Sequence, residues 1–341
     1  MTSTTTSSTT TIQDTQVLRH SRLLGVGVYR PERSVPNTEI AERTGLDPAW
    51  IESRSGIRAR RYASDDETLP TMATAAAEKA LAAAGIGADQ VGAVILATIT
   101  SMEQMPAVAV EVAHRLGARQ AAAFDISAAC AGFCHGLALA SDLVRMGRAD
   151  HVLVIGAERM TDILDHSDRD TAFLFADGAG AVVVGPSDEP GIGPVVWRAD
   201  GSRNAALKMT SPWHDGTGER PDDKPAITMS GWKVYRWATG ELVPATRRML
   251  ELAGVTVDQL DAFVPHQANM LITDFVVDQL GLSERTAVAR DIVTSGNSSA
   301  ASIPLAMEEL LASGKAPSGG LALLVGFGAG LVYAGQVVRL P

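Results

Sequence analysis

Short, wholly apolar runs alternate along this chain with longer stretches in which Ala and Leu recur at helical spacing. Val94-Ile95-Leu96, His151-Val152-Leu153-Val154-Ile155 and Ala181-Val182-Val183-Val184 hold almost no polar side chain, the mark of strands covered on both faces. Elsewhere apolar residues return every three or four positions, as in Phe133, Leu137, Ala140, Leu143 and Val144, and predict helices packed along one face. Strands and helices in alternation predict an α/β fold.

The pattern also repeats. Leu81-Ala-Ala-Ala-Gly-Ile-Gly-Ala-Asp-Gln-Val-Gly-Ala93 and Leu250-Glu-Leu-Ala-Gly-Val-Thr-Val-Asp-Gln-Leu-Asp-Ala262 share six identical positions. Each copy predicts a helix closed by glycine, Gly85 or Gly254, then a short polar link into a strand. A second similarity pairs Gly178-Ala-Gly-Ala-Val-Val-Val-Gly185 with Gly328-Ala-Gly-Leu-Val-Tyr-Ala-Gly335. Both offsets are about half the chain, which predicts a duplicated α/β unit. The turn formers of residues 185–194 place the seam there. The expected organisation is a disordered Thr- and Ser-rich tail over 1–16, an N-terminal half over 17–186 and a C-terminal half over 187–341.

Composition narrows the partners. With 341 residues, 46% of them hydrophobic, the chain can bury a large core. A net charge of −10 and the lack of a basic stretch argue against nucleic acid as the main partner. No uncharged apolar run reaches the roughly 18 residues of a spanning helix, so a soluble, cytoplasmic protein away from membranes is expected. Cys130 and Cys134 alone give no disulfide framework and no zinc site.

Cys130 sits where Phe124-Asp-Ile126 gives way, through small residues, to a helix. The first turn of a helix presents unpaired N–H groups and the positive end of the macrodipole, which predicts a lowered thiol pKa. A small buried hydrophobe is the other reading of such a cysteine. The second half supplies partners. His266 ends the repeated strand in Phe263-Val-Pro-His-Gln-Ala-Asn269, where catalytic groups sit in such sheets. Asn297 lies in a small-residue turn before an apolar helix, where it also suits a helix cap. Gly326-Phe-Gly-Ala-Gly330 gives a backbone that a ligand can approach closely. A thiolate, a histidine, an amide and a bare backbone loop are the parts of acyl transfer through a thioester.

Together, Asp-Ile-Ser-Ala-Ala-Cys-Ala-Gly-Phe (125–133), Pro-His-Gln-Ala-Asn (265–269) and Gly-Asn-Ser-Ser-Ala-Ala-Ser (296–302) resemble the thiolase-fold condensing enzymes. Within them the chain is similar to the β-ketoacyl–acyl carrier protein synthase III family from about residue 22 onward, with 50–58 and 175–180 adding to the match. The resemblance implies a thiolase-like fold of two duplicated α/β halves in a five-layered αβαβα core. It implies a homodimer that starts fatty-acid or polyketide chains from a short acyl-CoA and malonyl–acyl carrier protein, with no metal or redox cofactor. Cys130 would carry the acyl group, with the backbone N–H groups of Cys130 and Ala329 as oxyanion hole. His266 and Asn297 would stabilise the enolate left by decarboxylation. Trp50 and Arg169 match the pair that sandwiches the CoA adenine, Arg54 a phosphate contact, Gly231 and Asn269 contacts to the pantetheine arm, and Phe175 an aromatic beside the nucleophile.

Three departures refine these expectations. Met105 stands where the family often has Phe or Thr, in the loop that reaches the partner subunit's pocket, so primers somewhat larger than acetyl are expected. Leu271, Asp278 and Gln279 stand where basic residues often dock the acidic carrier, while Arg236 keeps its charge; attraction to an acidic carrier should be weaker. Ala329 replaces a common glycine and suits a backbone contact if its φ is negative. Two rival activities are acyl transfer from Cys130 to an oxygen or nitrogen nucleophile or a carrier thiol without condensation, and a non-catalytic partner subunit. His135 is expected to make a core or helix contact, and Asp162, Asp165, His166 and Asp168 to form a solvated loop and not a metal site.

Overall fold

The computed structural model describes residues 19–212 and 224–341; the tail expected over 1–16 lies outside the described residues. The first of two five-stranded sheets holds β1 (His20–Tyr29), β2 (Val91–Ala97), β3 (Ala122–Ile126), β4 (His151–Arg159) and β5 (Asp177–Ser187), in the order β1-β5-β4-β2-β3. The second holds β6 (Val196–Ala199), β7 (Ala262–Pro265), β8 (Ala287–Val288), β9 (Leu321–Gly328) and β10 (Val332–Arg339), in the order β6-β10-β9-β7-β8. The two orders are the same, strand for strand. So are the directions: β5 runs antiparallel to β1 and β4, and β2 parallel to β4 and β3, as β10 does to β6 and β9, and β7 to β9 and β8.

The helices repeat likewise. Leu69–Ala84 (α1) and Val108–Leu116 (α2) cover the outer face of the first sheet, Gly231–Ala253 (α4) and Met270–Leu280 (α5) that of the second. Between the sheets lie α3 (Gly132–Arg145) and α6 (Ser302–Ala312). Phe133, Leu137 and Val144 of α3 and Ile303, Met307 and Leu310 of α6 share one core with inward residues of both sheets, such as Val154 and Leu324. The result is five layers, αβαβα.

The first sequence similarity is a shared local structure. Gly85 and Gly254 close α1 and α4 in the left-handed region, at φ 67° and 65°. The matching glutamines then tie the links, the Gly87 N–H donating to Gln90 Oε1 at 2.9 Å and the Thr256 N–H to Gln259 Oε1 at 2.8 Å.

The second similarity is a coincidence of composition. Gly178 lies in β5 opposite Glu158 of β4, and the residue so placed in β10 is Val332, opposite Gly328 of β9. Gly328 instead ends β9, and Ala329 and Gly330 belong to the turn into β10. Both stretches are small for unrelated reasons: a Cβ on Gly180 would meet Pro304 of α6 at 2.7 Å, and one on Gly328 would meet Cys130 at 2.9 Å. Nor is 185–194 a free linker, since Gly185, Pro186 and Ser187 still pair with β1 and Ile192 bridges Val338.

A third correspondence is visible only in three dimensions. Ala129–Ala131 and Ser299–Ala301 are matching single turns leading into α3 and α6. Among the described residues, Ala129 (φ 46°) and Ser299 (φ 49°) are the non-glycine residues with positive φ. Each turn packs on the opposite sheet, at Gly328 of β9 for Cys130 and Gly156 of β4 for Ala300. The centre of the molecule is where these two turns meet.

Candidate active site

β3 delivers the chain to Cys130 through the left-handed residue Ala129, a conformation that costs an L-residue roughly 1–2 kcal/mol. The thiol is 5% exposed, and burial pushes its pKa up to about 12, the reverse of the lowering expected from a helix start. The α-helix proper begins only at Gly132, so Cys130 stands before its first turn. Hydrogen bonding from the Ser299 side chain and from the Cys130 N–H offsets only part of the desolvation, and nearby Glu158 adds to it.

His266 follows β7, its N–H donating to Val325 O at 2.7 Å. Ser302 Oγ lies 2.7 Å from the ring Nδ1 and also accepts the Gln267 N–H at 3.2 Å. The hydroxyl can accept twice and donate once, so it suits either tautomer; in the one where it donates to Nδ1, the imidazole hydrogen is on Nε2 and serves the cavity as a donor. Burial lowers the His266 pKa to about 3, so the ring is neutral. Asn297 is held by backbone bonds to Leu174 and Ala176, and its Oδ1 accepts the Ser299 N–H at 2.9 Å. Its carbonyl therefore caps the turn while its NH2 group stays free to donate. The cap reading and the catalytic reading of Asn297 therefore concern different atoms.

Cys130, His266 and Asn297 face one cavity of about 360 Å³, walled largely by apolar groups. Phe175, Gly231, Asn269, Trp50 and Arg54 line it too. Other expected residues lie elsewhere. Met105 is 85% exposed. Arg169 is outside the lining, although its neighbour Asp170 is within it. Trp50 instead has the Arg54 guanidinium 5.9 Å from its ring and the Phe173 edge at 5.6 Å. Arg236 belongs to an adjoining groove with Arg203 and Lys233, its guanidinium 5.8 Å from the Trp232 ring. Ala329 follows Gly328, the loop residue that touches Cys130, and its φ is not positive. Leu271, Asp278 and Gln279 are exposed on α5.

His135 donates Nδ1–H to Ala131 O at 3.0 Å and stacks on Trp197, a helix contact as expected. Asp162 pairs with Arg159, and Asp165 and Asp168 cap local turns. No helix among the described residues is long and apolar enough to cross a membrane.

Sequence reading did not single out Ser299, Ser302, Trp232 or Glu158, and it took Gly328 only as part of the glycine-rich loop. The run of small residues over 296–302 was the available signal for the two serines; Glu158 was only the polar end of an apolar strand. Gly328 carries a prediction. A Cβ there would sit 2.9 Å from the Cys130 N and Cβ and 3.1 Å from Sγ. Gly328→Ala should displace the thiol and slow covalent labelling of Cys130 by a thioester about 10²-fold, as misplacements near 1 Å do. Labelling at the wild-type rate would contradict this contact.

Comparison with known proteins agrees with this geometry. Family models described as 3-oxoacyl-[acyl-carrier-protein] synthase III and its C-terminal part match residues 124–201 and 250–340. The chain is 55% identical to the β-ketoacyl-[acyl-carrier-protein] synthase III of Streptomyces glaucescens, over 94% of this chain and 97% of that one. It is 48% identical to the synthase III of Mycobacteroides abscessus, over 94% of each. The crystal structure of the priming β-ketosynthase of the R1128 polyketide biosynthetic pathway superposes with a TM-score of 0.94, at 51% identity over 96% of this chain and 98% of that one. The synthase III of Pseudomonas aeruginosa superposes with a TM-score of 0.86 at 38% identity, over 95% and 99%.

Proposed function

The chain belongs to the 3-oxoacyl-[acyl-carrier-protein] synthase III family of condensing acyltransferases, and from that premise we propose the roles of its residues and substrates. The observation that carries the reading is the convergence of one thiol, one neutral imidazole and one side-chain amide on a single cavity, where His266 Nε2 and Asn297 Nδ2 would serve as N–H donors.

The Cys130 thiolate attacks the carbonyl of a short acyl-CoA thioester. The carbon–sulfur bond to CoA breaks, CoA leaves as its thiolate, and the acyl group remains on Cys130. The backbone N–H groups of Cys130 and Ala329 hold the oxyanion, each such donor being worth about 3 kcal/mol. Malonyl–acyl carrier protein then enters. His266 and Asn297 donate to its thioester carbonyl, the bond to the carboxylate breaks, carbon dioxide departs and its electron pair forms the enolate. The carbanion attacks the acyl-cysteine, and expulsion of the Cys130 thiolate gives a 3-oxoacyl-carrier protein. Two donors and no base suit decarboxylation, because no proton has to be removed. The steps call on no cofactor beyond the two substrates.

Trp50, Arg54 and Arg169 hold the CoA nucleotide, and Gly231 and Asn269 the pantetheine arm. Arg236, beside Arg203 and Lys233, meets the acidic carrier. The exposed Met105 completes the acyl pocket of a second copy in a homodimer, next to Phe175.

Intact-protein mass spectrometry with a panel of acyl-CoAs, followed by malonyl–carrier protein, tests the reading. Acyl adducts on Cys130 and one carbon dioxide per product are expected, with butyryl- and isobutyryl-CoA within about tenfold of acetyl-CoA. A steep fall from acetyl to butyryl would refute the role of Met105. Acyl loss without carbon dioxide would refute condensation.

A further inference from the structure

The buried thiol poses a problem that the three residues above do not solve: something must take its proton. His266 binds a proton only below about pH 3, so it is a poor acceptor. Releasing the proton to water would leave a second anion beside Glu158, which is itself fully buried.

Glu158 is the penultimate residue of β4, beside the turn that carries Ser299. Its Oε2 accepts three donors: Thr98 Oγ1 at 3.0 Å, the Ile99 N–H at 3.1 Å and Thr100 Oγ1 at 2.7 Å. Among the described residues, its Oε1 has a single partner, Ser299 Oγ, at 2.9 Å. The turn that carries Ser299 packs against the turn that carries Cys130, and the Ser299 side chain favours the thiolate. One hydroxyl, with one proton to give, thus bonds the buried carboxyl from the turn that packs against the buried thiol.

We propose that Glu158, acting through the Ser299 hydroxyl, is the internal proton acceptor that converts Cys130 to its thiolate. The Sγ–H bond breaks and its proton goes to Ser299 Oγ as the Ser299 proton passes to Glu158 Oε1. Neutral Glu158 then donates to Ser299, and Ser299 donates to the thiolate. The site holds one negative charge before and after, which avoids the desolvation of a second one. CoA, leaving as a thiolate, takes its proton from solvent. When condensation returns the Cys130 thiolate, the Glu158 proton moves back along the same path.

Burial raises the carboxyl pKa to about 7 despite its hydrogen bonds, which makes it a better proton acceptor than an ordinary carboxylate or than His266. The other ionisable groups around the pair leave it alone. His266 is neutral, and Cys134, one turn along α3, is held up to about 12 by burial. Arg159 turns to Asp162 at 3.2 Å, while Asp177 takes hydrogen bonds from Ala63 and Thr161. Ser299 occupies the place that Ala129 fills in the other half, at nearly the same φ, so the turn accepts alanine there.

This inference rests on Cys130 being the acyl-accepting nucleophile, but its test needs no acyl substrate. Alkylation of Cys130 by iodoacetamide, followed by peptide mass mapping, reads the thiolate directly. While the pair holds one proton, the thiolate share is fixed, so the wild-type rate should change less than about threefold between about pH 7.5 and pH 9.5. Glu158→Gln can donate to Ser299 but cannot take a proton. Its rate should rise roughly tenfold per pH unit over that window, with no plateau. Ser299→Ala should lose the plateau as well. A carboxyl that only braces its loops would lower the rate evenly, and parallel wild-type and variant profiles would overturn the proposal. So would a wild-type profile that itself climbs tenfold per unit, a result that needs neither variant to fold.

Discussion

Cys130→Ala is expected to abolish covalent acylation and to lower condensation by about 10³-fold or more, since removal of a catalytic nucleophile costs this much or more elsewhere. The fold should survive the change. Ala300 fills the equivalent position of the matching turn in the second half, in the same single-turn geometry, so the backbone conformation does not need the sulfur. Loss of one buried sulfur atom should lower stability by only about 1 kcal/mol. Intact mass should then show no acyl adduct from any acyl-CoA. Decarboxylation of malonyl–carrier protein should continue without product, because His266 and Asn297 reach the cavity independently of Cys130. An adduct that persisted on Cys134, one turn further along α3 and also buried, would move the nucleophile and with it the whole mechanism.

The fold was legible where burial dictates residue type. Strands covered by helices on both faces must be apolar throughout, so Val94–Leu96 and Val152–Ile155 announced themselves. Gly85 and Gly254 were legible because only a left-handed closure suits glycine at the same place in both copies. The second similarity misled because small residues answer to close approach, and Gly180 and Gly328 approach different partners. The site was legible as a set of residue types, each at a strand end or turn, but its protonation states were not. The thiol pKa depends on desolvation by groups from both halves, and the meaning of Glu158 depends on Thr98, Thr100 and Ser299, which two distant segments bring to it. No window of local sequence holds those contacts.

His266→Ala is expected to separate the two half-reactions. Acylation of Cys130 does not use the imidazole, so the acyl adduct should form at a rate within a few-fold of wild type. Decarboxylation should fall about 10²–10³-fold, the usual loss for one donor to a developing oxyanion in a dry site. The enzyme would then stall as its acyl form, which intact mass reads directly, while release of labelled carbon dioxide from malonyl–carrier protein reads the lost step. Ser302→Ala sharpens the test because it leaves the ring in place. The ring would lose the hydroxyl whose donation to Nδ1 keeps its hydrogen on Nε2, and the Nδ1–H tautomer would put an acceptor where the enolate oxygen needs a donor. Decarboxylation should fall here too, with acylation again spared. If His266→Ala instead blocked acylation as fully as decarboxylation, the imidazole would be serving the thiol, and the neutral-donor role derived from its burial would be wrong.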